Sequence, residues 1–274
     1  MAPVVPDVSA PVPPIAKLPK FHLRVLDLAH PGAQAFFHAV PNPSQALRSA
    51  AESVLSALYP PSLPSTSDKT PPAAPPPVRS VTLHLHAFEG VAYTCGSDLD
   101  NEHKELHLSL SYLEGVSSRC RGDLAQLKHE IEGVLVHELV HAFQYDGEGS
   151  VPSGVIEGIA DWVREQAGVG APHWREKVNE GERWDAGYEK TGYFLRWLSV
   201  RCNNPLLVPQ INLAMHTSRW DGGKHLKRLL EGQEVEDLWD KYRRELEKKD
   251  HAEEEDPPKP VPTHAAKSGY NVQY

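Results

Sequence analysis

The sequence predicts an α+β fold: a small sheet built early in the chain, then a mainly helical C-terminal half. Three observations predict it. Short segments of alternating apolar residues are confined to positions before 111. After Gly122 the apolar period lengthens from two residues to three or four, the spacing of helices that bury one face. The 25 prolines gather at the ends and in one internal stretch, and the rest, within a chain that is 40% hydrophobic, is left able to form a sizeable core.

Residues 1–20 carry six prolines and few large apolar groups, and read as a disordered arm. Phe21–Leu28 alternates as a strand. Pro43–Leu58 reads as a helix capped by Ser44, with Ala46, Leu47, Ala50, Val54, Leu55 and Leu58 on one face. Residues 60–77 hold eight prolines, which excludes a helix or an inner strand and predicts a disordered loop inside the domain. Pro72-Ala-Ala-Pro75 within it has the spacing of an SH3-type ligand, but that spacing is common in any Pro-rich loop and the stretch is read as an extended spacer. Val81–Phe88, Gly90–Thr94 and Glu105–Leu110 read as strands, the last two separated by a polar turn at Gly96–Lys104.

Asp123 caps a long helix in which Leu124, Leu127, Ile131, Val134, Leu135 and Leu139 keep helical spacing. Pro152-Ser153 opens the next, with Val155, Ile156, Ile159, Ala160 and Val163 apolar. Further helices are predicted at Gly187–Val200, Pro205–His216, Gly223–Leu230 and Val235–Glu247, and residues 250–274 form a disordered tail. A single folded domain is thus expected to span residues 21–249.

Composition excludes several functions. No apolar run approaches the roughly 18–20 residues that span a bilayer. The net charge is −9, much of it in Glu231–Asp256 with 12 acidic against 5 basic residues, and no basic stripe is present to neutralise phosphates. Cys95, Cys120 and Cys202 are too few and too scattered for a cysteine-rich zinc site, and are expected to be buried free thiols, with one disulfide as the alternative. Met-Ala-Pro-Val-Val-Pro-Asp has neither a basic start nor an apolar run, so it does not read as a secretory signal. A monomer in the cytoplasm is expected, with export by a non-standard route as the alternative.

The informative stretch is Val134-Leu-Val-His137-Glu138-Leu-Val-His141-Ala-Phe-Gln. Four residues apart on a helix, His137 and His141 share a face and can reach one Zn²⁺. Glu138, rotated by about 100°, lies beside the metal position, where it can act on an attacking water. A catalytic zinc needs a third protein ligand. The longer His-x-x-Gly-x-x-His pattern fails, because Gln144 replaces its glycine and Gly147 its third histidine. Glu157-Gly-Ile-Ala-Asp161 offers a carboxylate instead: Glu157 as ligand, Asp161 as acceptor for the free ring N–H of a ligating histidine. Gly158 is expected to let these two helices approach closely. His84 and His86 flank Leu85 on one strand face and can bind metal, but no third ligand is apparent.

Around these residues the sequence resembles the plant basic secretory protein family, peptidases of plants, fungi and bacteria within the Glu-zincin group. The resemblance runs through Gly90-Val-Ala-Tyr-Thr, Glu105-Leu-His-Leu-Ser-Leu, Gly133-Val-Leu-Val-His-Glu-Leu-Val-His-Ala-Phe-Gln, Ile156-Glu-Gly-Ile-Ala-Asp-Trp-Val-Arg, Pro172-His-Trp and Trp184-Asp-Ala-Gly-Tyr. It implies a zincin-like fold, Zn²⁺ at His137, His141 and Glu157, Glu138 as the catalytic carboxylate, and a peptide or protein substrate. Related zinc peptidases place a donor for the oxyanion in the helical half, where His173 and Tyr188 lie; the Trp-Asp-x-Gly-Tyr segment near the cleft favours Tyr188. Trp162, Trp174, Trp184 and Trp197 are assigned to core or cleft wall. A sequence pI near 5.9 and the missing signal set this chain apart from the family's name. The strand Glu105–Leu110 is expected to be an edge on which an extended peptide adds. Two other functions fit the residues: a zinc-stabilised defence or binding protein with little turnover, and an adaptor acting through the Pro-rich loop.

Overall fold

A computed structural model describes residues 17–63, 74–217, 219–221 and 223–255. The readings of the N-terminal arm, the C-terminal tail and Pro72-Ala-Ala-Pro75 fall wholly or largely outside these residues. The architecture is mixed α+β. Strand β1 (Lys20–Val25) leads through helices α1 (Pro31–Ala39) and α2 (Pro43–Leu58) to β2 (Ser80–His86). Then come β3 (Ala92–Ser97), β4 (Asp100–Ser109), α3 (Leu110–Cys120) and α4 (Leu124–Phe143). The helical half continues with α5 (Ser153–Gln166), α6 (Tyr188–Arg201), α7 (Leu207–Thr217), α8 (Lys224–Leu229) and α9 (Val235–Glu255).

The sheet has the order β1-β2-β4-β3. β1, β2 and β4 run parallel, and β3 pairs antiparallel with β4 as a hairpin. The edge on the β4 side is therefore β3. Glu105–Leu110 is not an edge: β4 is paired on both sides, because the predicted polar turn Gly96–Lys104 is mostly strand and the hairpin turns tightly between Ser97 and Asp100. Alternation sends Val81, Leu83, Leu85, Leu106 and Leu108 into the core, where all are fully buried.

Two helices escape the apolar-period reading. α1 is short and opens on Pro31-Gly32, which reads as a turn. Proline at the first helical position is nonetheless a helix start, and the His30 ring accepts the Gly32 N–H. Only glycine fits at 32, since a Cβ there would lie 2.1 Å from the Leu110 carbonyl oxygen. α3 is hidden by its serines and glycine, and is capped by Ser109, which accepts the Tyr112 N–H at the end of β4. The α2 cap is Asn42 rather than Ser44: Pro43 occupies the first helical position, so the capping oxygen comes from the residue before it, accepting from Gln45. Asp123 caps α4 through the N–H groups of Ala125 and Gln126. The thiols are free but not buried, with Cys95 exposed and Cys120 and Cys202 half-buried.

Candidate metal centre

α4 is anchored by apolar packing on nearly every side: Val134, Leu135, Val136, Leu139, Val140 and Phe143 are all buried. Its C-terminal turn is tied down as well. Asn212, fully buried, accepts the Tyr145 N–H and donates to the Tyr59 hydroxyl. This fixes the turn that carries His137, Glu138 and His141, with the rings of the two histidines 4.9 Å apart and nearly perpendicular.

α5 folds back against α4 through a close approach that the sequence reading placed at the wrong glycine. The contact is made at Gly133 of α4, where a Cβ would sit 2.5 Å from the Arg164 guanidinium and 2.6 Å from the Val169 carbonyl. Gly158 faces away from α4 and accommodates α6, since a Cβ on it would lie 2.2 Å from the Thr191 methyl. Thr191 in turn donates to the Trp184 carbonyl and accepts the Gly187 N–H, fixing the turn into α6. Gly187 has φ of +100°, and Tyr188 follows with φ of +49°, a left-handed backbone that is costly for an aromatic residue. That strained start turns the Tyr188 ring over His137, with centroids 6.2 Å apart and planes 11° from parallel.

These elements bring the predicted donors together. Nε2 of His137 is 3.0 Å from Oε2 of Glu157, and Nε2 of His141 is 3.7 Å from the same oxygen. On the other side of the His137 ring, Nδ1 is 2.7 Å from Oδ1 of Asp161, which is only 3% exposed. The three donors lie within 4.8 Å of one another. A tetrahedral centre with bonds near 2.0–2.1 Å needs donors about 3.3 Å apart, so the set is nearly at that spacing.

The electrostatics favour a cation at the convergence point. Burial disfavours a charged His137, but its hydrogen bonds with Asp161 and Glu157 prevail and raise its pKa to about 9. Burial likewise opposes ionisation of Glu157, yet the hydrogen bonds from His137 and His141 hold it down at about 2. The metal-free chain thus keeps a proton where a dication would bind. A second fit is found at Gln144, whose amide is 3.0 Å from Nδ1 of His141 and whose Oε1 is buried without a partner. Half a turn of the amide makes Oε1 the acceptor of the Nδ1–H and leaves Nε2 of His141 free to ligate.

Glu138 is 5% exposed, and its carboxylate accepts a hydrogen bond from the Thr94 hydroxyl on edge strand β3 (2.8 Å). Burial pushes its pKa above the ordinary carboxylate range, against the pull of His141, His137 and Thr94. Tyr188 is 56% exposed and its phenol is pushed up, chiefly by the negative charge of Glu157 and then by burial, so it remains a proton donor at neutral pH. All of these groups line a cleft of about 950 Å³ that also takes in Trp174 and the exposed His173. Trp162 and Trp184 belong to the core, and Trp197 packs against it. His84 and His86 lie on the opposite face of the sheet. Thr94 and Gln144 were not singled out from the sequence: Thr94 sits 44 positions before Glu138, and Gln144 stood only as a departure from a longer motif.

The fold and the donor set define a mixed α+β protein with a candidate metal site in a polar cleft. The model of one family, described as peptidases of plants and bacteria, matches residues 18–242, and the chain belongs to that family, the basic secretory proteins. No curated protein and no solved structure matches the chain significantly.

Proposed function

We propose that the chain is a zinc-dependent peptidase of zincin-like fold. The observation that carries this reading is the convergence of His137, His141 and Glu157 beside the buried Glu138 in an open cleft. Two imidazole nitrogens and one carboxylate oxygen suit zinc, with one coordination position left open. When bound, zinc would supply Lewis acidity toward the scissile carbonyl and the attacking water.

The chain's own residues do the rest. Glu138, with a pKa raised by burial, takes the proton of the attacking water and passes it to the leaving amine. Thr94 holds that carboxylate in one orientation from the sheet side. Asp161 fixes the ring of His137 through Nδ1 and Gln144 that of His141, so both present Nε2 to the same point. The Tyr188 hydroxyl donates to the developing oxyanion. An extended peptide is held by adding as a strand to β3, the edge that borders the cleft.

The test combines zinc analysis with cleavage of casein and quenched-fluorescence peptides. Glu138→Gln should retain zinc while turnover falls by about 10²-fold or more. His141→Ala should lose both zinc and turnover. Undiminished cleavage by Glu138→Gln would remove the assigned base.

A further inference from the structure

The sheet face opposite α4 carries a second convergent set of donors. On β2 and β4 the alternation that buries the leucines sends His84, His86, Glu105 and His107 to this other face. The register aligns Arg24 with His84, His84 with His107, and His107 with Tyr93, one row across all four strands. Within it the His107 ring is stacked between the other two, 4.6 Å from His84 and 4.4 Å from Tyr93. Oε2 of Glu105 lies 3.5 Å from Nε2 of His107 and 3.9 Å from Nε2 of His84. His84 is 7% exposed, and its Nε2 is buried with no hydrogen-bond partner while aimed into this group. A buried ring nitrogen without a partner calls for an explanation.

We propose that His84, Glu105 and His107 form a second zinc-class site, separate from the cleft, that ties strand β2 to strand β4. The three donor atoms lie within 4.8 Å of one another; closing to the spacing of about 3.3 Å of a tetrahedral centre needs only side-chain rotation, which also turns the stacked rings so that both lone pairs meet the ion. Two imidazoles and a carboxylate select a borderline transition dication over calcium or magnesium, which take predominantly oxygen shells.

The sequence pairs His84 with His86, but the structure gives His86 a different part. Its Nε2 is 3.0 Å from Nδ1 of His107. With Nδ1–H donated to His86, the lone pair of His107 sits on Nε2, facing Glu105 and His84. His86 is thus a positioning residue. A cation here bridges two parallel strands otherwise joined by backbone hydrogen bonds. The site stands whether or not the chain is a peptidase.

The experiment uses the full chain, stripped with chelator and equilibrated with micromolar Zn²⁺, reading zinc per chain by elemental analysis and affinity by calorimetry. The wild type should hold two zinc ions. His137→Ala/His141→Ala should keep one, and Glu105→Gln, which preserves size, should also fall to one. His86→Phe should weaken the second site by about 10–100-fold without abolishing it. Circular dichroism checks each variant's fold, and if the cleft double variant does not fold, the drop from two to one in Glu105→Gln decides the matter. Loss of all zinc in a folded His137→Ala/His141→Ala variant, or a Glu105→Gln variant that keeps the wild-type zinc content with unchanged affinity, overturns the proposal.

Discussion

With divalent metal removed, the protein should lose stability as pH rises from about 6 to about 10, through His137. Its pKa stands at about 9 in the folded chain against an ordinary value of 6.5. At about 1.4 kcal/mol per pKa unit, that difference is worth on the order of 3 kcal/mol of folding stability. Because the folded pKa is the higher one, the contribution is fully present below about pH 6.5. It is lost as pH climbs through about 9. The depression of Glu157 to about 2 is the other side of the same contact and is not added. Its own window, where stability falls as pH drops through that value, lies below this range. The measurement is urea unfolding in excess chelator, followed by tryptophan fluorescence, for wild type and His137→Gln. The stability difference between the two should shrink by a few kcal/mol across the range. With zinc present the trend should reverse, since protons compete with the metal for the same nitrogen. A wild-type-minus-variant difference that stays flat or grows with pH in the chelated protein would refute the electrostatic reading of the centre.

Three more outcomes are expected. Tyr188→Phe should lower kcat by about 10²-fold with little change in KM, because its donor acts on charge that develops only in the transition state; stopped-time peptide assays check this. Asp161→Asn should weaken zinc binding by about 10–100-fold, read by competition with a fluorescent chelator, since it disturbs the partner that orients His137. Gly158→Ala should cost about 1–3 kcal/mol in chemical denaturation, because the new methyl meets the side chain of fully buried Thr191.

Much of this was legible in the chain. The long helix from Asp123, its cap, and the sharing of a face by His137 and His141 follow from period and spacing, which are local properties. Glu157 and Asp161 could be paired with them because their helix begins only ten positions after α4 ends. What the sequence hides is non-local. Which strand forms the edge depends on β3 crossing outside β4, and no pattern in Glu105–Leu110 reports that. The partner of Gly158 could not be read either, since a glycine marks close approach without naming the neighbour. Thr94 escaped for the same reason, as an ordinary strand threonine until the sheet is placed against α4.

The three cleft donors all belong to one helix–turn–helix, residues 137 to 157, whereas the hydroxyl that steadies Glu138 comes from a strand 44 positions upstream. On the proposed function, loading of the cleft with metal and alignment of the Glu138 carboxylate therefore rest on parts of the molecule with different folding requirements. On that reading, a preparation in which the hairpin strand has frayed would keep the ion of the cleft and still be idle, so metal content by itself would not measure the competent fraction.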